Sequence, residues 1–157
     1  MKQYTVSKKY GHEIGLSCTF RQWRAEKSHC SLLHGYALSV ELFFQSSTLI
    51  DHNWVIDFGV LKEVKQVLCD MFDHKTLIAA DDPQLDFFRE GHKRGVLDLV
   101  VVPAVGCEKF AEAIYHLVNS WLIQRTIMGL NKNKDVRLVK VEVREHGANG
   151  VIFEGGI

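Results

Sequence analysis

The 157 residues carry no net charge, no apolar run of membrane length and no paired-cysteine motif, and each absence removes a class of protein. Nineteen basic residues balance nineteen acidic ones, so the chain lacks the positive field of a general nucleic-acid binder. A local pocket for an anionic small molecule remains open. The apolar stretch Leu99 to Cys107 is broken by Pro103, and nothing approaches the ~20 apolar residues of a membrane span. The opening residues Met1-Lys2-Gln3-Tyr4-Thr5 contain no apolar signal-peptide core, and a cytoplasmic protein without a membrane or nucleic-acid partner is expected. Cys18, Cys30, Cys69 and Cys107 form no CxxC pair; in the cytosol each is a thiol, either core filler or a reactive group. Prolines are scarce, Pro83 and Pro103 alone, and no repeat, low-complexity tract or linker marks a boundary, so residues 1–157 are read as one domain. At 46% hydrophobic and 24% charged the composition is that of a globular chain, which excludes disorder and coiled coil.

Periodicity supplies the elements. Residues Glu13 to Phe20 read as a strand, and Tyr36 to Gln45 as a second, with Leu38, Val40, Leu42 and Phe44 alternating with Ser39, Glu41 and Gln45. Phe43 breaks the polar face of that strand, as a residue meeting another subunit would. Trp54 to Phe58 reads as a short strand leading into a helix in which Val60, Leu61, Val64, Val67, Leu68 and Met71 follow the helical period. Asp81 to Gly95 is polar, with a helical turn near Leu85–Phe88, and Leu97 to Val102 is a short apolar strand. A second helix runs from about Cys107 to Gln124. The chain ends in a hairpin: Val139, Val141 and Val143 alternate with Lys140, Glu142 and Arg144, and Val151 to Glu154 returns after a turn over Gly147 to Gly150. The order β-β, two helices, β-β predicts an α+β fold, an antiparallel sheet with both helices on one face.

Four places bear chemistry. His29, Cys30 and His34 lie within six residues, either a fragment of a metal site that lacks a second half or a polar loop with a partly buried thiol. Asp73-His74 follows the first helix; the carboxylate either orients the imidazole so that it activates a thiol, or the histidine answers the helix macrodipole and the aspartate caps the next turn. Glu145, at the end of a strand, is either solvated or points into a cleft at the sheet edge. Cys107 opens a helix, where a thiolate would be stabilised and where a small residue is equally at home.

Taken in order, Thr19-Phe20, Cys30-Ser31-Leu32-Leu33-His34-Gly35, Trp54-Val55-Ile56-Asp57-Phe58, Asp73-His74, Glu108 and Val141-Glu142-Val143-Arg144-Glu145 resemble the 6-pyruvoyltetrahydropterin synthase / 6-carboxytetrahydropterin synthase family, whose subunits have the tunnelling fold, or T-fold. The resemblance spans nearly the whole chain. It implies that a pterin triphosphate, dihydroneopterin triphosphate, binds between subunits. It further implies that Glu145 anchors the pterin ring, that Cys30 acts as a base on the side chain with help from Asp73 and His74, and that Glu108 contributes to substrate binding. In that family zinc held by three histidines polarises the side-chain hydroxyls.

At the metal this sequence departs from the pattern. Arg24 stands where the first zinc histidine is expected, and His34-Gly35-Tyr36 replaces a His-Gly-His pair, so only His34 keeps a ligand's identity. A guanidinium does not ligate zinc at neutral pH, and no cofactor is expected; His34 should lie in a hydrogen-bonded polar pocket near Arg24 or Tyr36. Val105-Gly106 replaces the Pro-Thr before the second helix. The cluster Arg21-Gln22-Trp23-Arg24 either plugs a vacated metal site or remodels it, with Arg24 binding substrate and supplying positive charge in place of zinc. Two functions follow from the resemblance: a divergent pterin lyase using Cys30, Asp73 and His74, or a T-fold protein that binds a pterin or purine-like molecule without that reaction. A ligand-free scaffold is the third. Assembly into a closed homo-oligomer, a hexamer of two stacked trimers, is expected because neighbouring subunits then cover the sheet edges.

Overall fold

Seven strands form one mixed sheet in the computed structural model, which describes residues 2–156. The strands are β1 (Tyr4–Tyr10), β2 (Leu16–Phe20), β3 (His34–Ser46), β4 (Lys75–Ala79), β5 (Asp98–Val102), β6 (Arg137–Arg144) and β7 (Gly150–Glu154); the helices are α1 (Lys62–Phe72), α2 (Leu85–Lys93) and α3 (Cys107–Ile127). The sheet runs β5-β4-β2-β3-β6-β7. The long β3 also pairs with β1, through its second half (Val40–Ser46), and takes β2 along its first half. Pairs among β1, β2, β3, β6 and β7 are antiparallel, while β2–β4 and β4–β5 are parallel. The α+β class therefore holds, with a mixed rather than purely antiparallel sheet.

The alternating residues of β3 do what the pattern predicts. Leu38, Val40, Leu42 and Phe44 are wholly buried and join Val141 and Val143 of β6 beneath Val64 and Leu68 of α1 and Phe110, Ile114 and Val118 of α3. Phe110 sets its ring against Phe20 at 5.1 Å and Phe72 at 5.4 Å, tying α3 to both the sheet and α1. Phe43 projects from the other face, where Lys140 Nζ sits 4.4 Å from its ring centre.

The parallel half differs from the sequence reading, and for one reason. Leu77 and Ala79 belong to the main core, whereas Ile78 packs with Leu85 and Phe88 of α2 and with Leu99. Successive strand residues face opposite sides, so α2 covers the face of β4 opposite to α1 and α3. A strand buried on both faces reads as a continuous apolar run without alternation, and β4 gave no periodic signal. β1 was silent for another reason: its inward row, Tyr4, Val6, Lys8 and Tyr10, includes a lysine.

Two predicted strands are shorter or absent. Glu13 lies in a 3-10 turn, His12–Ile14, ended by Gly15 at φ 77°, so β2 starts only at Leu16. Trp54 to Phe58 is not a strand: the Val55 carbonyl accepts from Asn133 Nδ2 at 2.9 Å and the Trp54 carbonyl from the Ile50 N–H at 3.0 Å. Asp57 then caps a second 3-10 turn through the Gly59 N–H at 2.8 Å. Among the described residues no helix is long and apolar enough to cross a membrane.

Candidate functional site

At one end of β2 the chain gathers most of the residues the sequence marked. Phe20 stands opposite His34 in the β2–β3 register, and Cys18 opposite Tyr36. Residues two apart share a face, so His34 and Tyr36 both project to the helix-covered side, over the start of α3. The His34 ring lies 5.0 Å from Phe20 and 5.5 Å, edge-on, from Tyr36; Tyr36 in turn is 6.2 Å from His146. His34 Nδ1 is 2.7 Å from the Leu32 carbonyl, an acceptor, so Nδ1 carries the proton and Nε2 is left as the free nitrogen.

Cys30 reaches this end on the loop between β2 and β3. It sits exposed in a 3-10 turn, His29–Ser31, whose cap Ser28 accepts the Cys30 N–H at 3.2 Å. The Gln22 N–H donates to the Cys30 carbonyl at 2.7 Å. Glu145 arrives from β6, half-buried and on the same side as Val143. Cys107, the first residue of α3, is buried and donates its Sγ–H to Glu145 Oε1 at 3.5 Å. Burial first, and then the Glu145 and Glu108 carboxylates, raise the Cys107 thiol far above its ordinary value, so the helix N-terminus does not make a thiolate here and the residue acts as a neutral donor. Burial alone pushes Cys18 up to about 12.

Tyr36 belongs to the same group. Burial raises its phenol above the ordinary value, followed by the nearby Glu145 carboxylate and the Cys30 and Cys107 thiols. The phenol is thus neutral and lies close to the same carboxylate. Of the two neighbours expected for His34, Tyr36 is the one beside it; its place two residues beyond His34 on a strand is the signal that it shares the pocket. Nothing in the sequence linked Cys107 to Glu145 across 38 positions. Glu108 is exposed beside Cys107, with Oε2 folded back over Gly106, 3.5 Å from where a Cβ there would stand.

Other marked residues lie elsewhere. Arg24 is exposed, stacked on Trp23 with its guanidinium 4.3 Å from the ring, and paired to Asp81 at 2.6 Å; the residue that faces His34 across the sheet is Phe20. Asp73 and His74 join α1 to β4. Nδ1 of His74 is 2.7 Å from Asp73 Oδ1, its side chain is 88% exposed, and its φ is 61°, a left-handed conformation that costs a non-glycine residue about 1–3 kcal/mol and persists where surroundings enforce it. The His74 N–H donates to the Ser17 carbonyl at 2.7 Å, whereas the Cys30 loop is tied to Gln22, five residues further along. The pair is thus anchored near the start of β2 and the thiol loop just beyond its end.

The donor set does not fit zinc. Among the described residues no three His, Cys, Asp or Glu side chains come together in a way that could hold a metal ion. His34 offers one nitrogen, and its ring neighbours are Phe20 and a neutral phenol, too few and too weak as ligands for a three- or four-coordinate site.

The fold is shared with solved structures. A crystal structure of an uncharacterized Wolinella succinogenes protein superimposes with a TM-score of 0.76 at 19% identity, covering 99% of this chain and all of that one. The 6-pyruvoyl tetrahydropterin synthases of Plasmodium vivax and Plasmodium falciparum match at TM-scores of 0.70 and 0.69, with 19% and 17% identity over the whole of each chain. The chain thus has the α+β T-fold. A 6-carboxy-5,6,7,8-tetrahydropterin synthase of Aquifex aeolicus is 27% identical over 130 residues, 79% of this chain and 76% of that protein. One of the same name from Helicobacter pylori is 31% identical over 61 residues, 38% of this chain and 30% of that protein. Residues 11–156 match the family described as 6-pyruvoyl tetrahydropterin synthase, and the chain belongs to that family.

Proposed function

We propose that this protein is a pterin lyase of the 6-pyruvoyl- or 6-carboxytetrahydropterin synthase type, acting on dihydroneopterin triphosphate or a related pterin without a zinc ion. The observation that carries the reading is the half-buried Glu145 carboxylate bonded to Cys107 and standing near Tyr36, which also feels the Cys30 thiol. A carboxylate in that position accepts two hydrogen bonds from the amino-pyrimidine edge of a pterin, a bidentate, charge-assisted arrangement. Cys107 donates to the same carboxylate and fixes its orientation. Cys30, exposed on the adjoining loop, is the base that takes a proton from the substrate side chain.

The Asp73–His74 pair, anchored at the opposite end of β2 from the Cys30 loop, serves the Cys30 of a neighbouring subunit, so the working site lies between subunits of a homo-oligomer, a hexamer by the family's pattern. Arg24, tied to Asp81, reaches a substrate tail only by leaving that pair. Incubation with dihydroneopterin triphosphate, product read by mass, is expected to give a tetrahydropterin product and no loss of rate in chelator. Near-stoichiometric zinc by elemental analysis would refute the metal-free reading, and a monomer by sedimentation at micromolar concentration would refute the shared site. The incomplete ligand set around His34 supports a second reading, a pterin or purine binder without turnover; calorimetric binding with no product would select it.

A further inference from the structure

The cluster Arg21-Gln22-Trp23-Arg24 faces two aspartates, not the His34 pocket. Arg21 Nε and Nη2 meet Asp82 Oδ2 and Oδ1 at 2.8 and 3.0 Å, a two-bond fork, and its third nitrogen, Nη1, donates to the Ser31 carbonyl at 3.1 Å. The Asp82 side chain is fully buried and that of Arg21 is 19% exposed. Beside them Arg24 and Trp23 Nε1 both hold Asp81, at 2.6 and 3.2 Å. Gln22 continues the line: its N–H binds the Cys30 carbonyl at 2.7 Å and its side-chain amide reaches the Val105 carbonyl at 3.5 Å, just before α3.

We infer that Arg21 is a positioning residue for Cys30, acting as a clamp between the β4–α2 loop and the turn that carries the thiol. Buried ion pairs of this kind are weak sources of net stability but fix one geometry, and a guanidinium fork fixes it more tightly than an ammonium can. Burial opposes ionisation of Asp82, but the Arg21 hydrogen bonds, the Gln84 N–H and the Arg21 charge outweigh it and hold the carboxyl below its usual range. The clamp also joins β4 to the thiol loop, because Asp82 follows the end of β4 by three residues. The catalytic part of this inference rests on the assignment of Cys30 as the base; the clamp itself does not.

The test therefore reads the loop directly. Arg21→Ala leaves a buried carboxylate unpaired and can cost the fold, so Arg21→Lys and the charge-free pair Arg21→Gln/Asp82→Asn are the working variants. Hydrogen exchange is expected to quicken about tenfold or more at residues 22 and 30–32, with α3 and β6 unchanged, because local openings scale with the contacts that close them. Site-specific alkylation of Cys30, followed by peptide mass, should change in rate in both variants. Pterin affinity, set by Glu145, should stay within about twofold, and kcat should fall about 10- to 100-fold with KM little changed. Folded variants with parental exchange and parental alkylation would overturn the clamp; faster exchange with unaltered kcat would overturn the positioning role. A parent without turnover would sink the lyase reading alone, since exchange and alkylation still decide the clamp.

Discussion

The two ends of β2 differ in what a single chain supplies. At the Phe20 end, His34, Tyr36, Cys107, Glu145 and the Cys30 loop converge, a donor is matched to an acceptor, and burial keeps the neighbouring thiol and phenol neutral. At the Leu16 end stands an exposed Asp73–His74 pair, with His74 in a left-handed backbone at φ 61°. One end gathers groups from distant parts of the chain; the other presents a single pair of adjacent residues, which the proposed function joins to a neighbouring subunit.

The comparison breaks first at the thiol. Replacing Cys30 with Ala should lower turnover about 10²- to 10⁴-fold, the usual contribution of a positioned base, with pterin binding retained in calorimetry. Loss of binding along with turnover would move the anchor to Cys30.

Mixing asks whether the two ends meet between subunits. Cys30→Ala and His74→Ala chains, each inactive alone, should after co-refolding at equal amounts recover about a quarter of parental activity, because one pairing in four then joins two intact halves. No recovery in a mixed oligomer would confine each site to its own chain.

Changing Glu145 to Gln keeps the shape but turns one acceptor into a donor, and should weaken pterin binding about 10- to 100-fold. Parental affinity in that variant would place the pocket elsewhere on the surface. Cys107→Ser, which keeps a donor to Glu145, should bind within a few-fold of the parent, while Cys107→Ala should lose one thiol–carboxylate hydrogen bond, about 1.5 kcal/mol, the low end for a bond to a charged group because the thiol is a weak donor. Equal affinities for the two would show that the thiol is packing alone.

The smallest effect is on acid stability. The folded carboxyl of Asp82 titrates below its unfolded value, near 3.9 for a free aspartate, about where the benefit of the pair begins to fade. That contribution is complete above the unfolded value and is lost as pH falls through the folded one. Arg21→Gln/Asp82→Asn should flatten the acid limb of a denaturation series by up to about one proton taken up on unfolding. An unchanged slope would show that Asp82 does not ionise differently in the two states.

Much of the antiparallel half was legible because its burial is one-sided. β3 and β6 each show an apolar face and a polar one, and α1 has its buried stripe of Val64, Leu68 and Phe72. The parallel half was not, because β4 is covered on both faces and α2 sits on the side where no helix was expected. Trp54 to Phe58 misled because β-branched and aromatic residues in a row suggest a strand, while the partner of its backbone is the side chain of Asn133, some eighty positions away.

By itself the sequence determined the α+β class, the main helices and the order of motifs that marks the family, and it singled out Glu145, Cys30, Asp73 and His74 as candidates for the chemistry. Tertiary structure alone decided who stands beside whom. It turned Arg24 toward Asp81 and away from His34, made Cys107 a donor to Glu145, and set the Asp–His pair at the far end of β2 from the thiol. The reason is physical: periodicity and residue type report on the local chain and on which side faces the core. Hydrogen-bond partners and the protonation of buried groups depend on charges and surfaces brought together from distant positions, which only the packed sheet and its loops bring into contact.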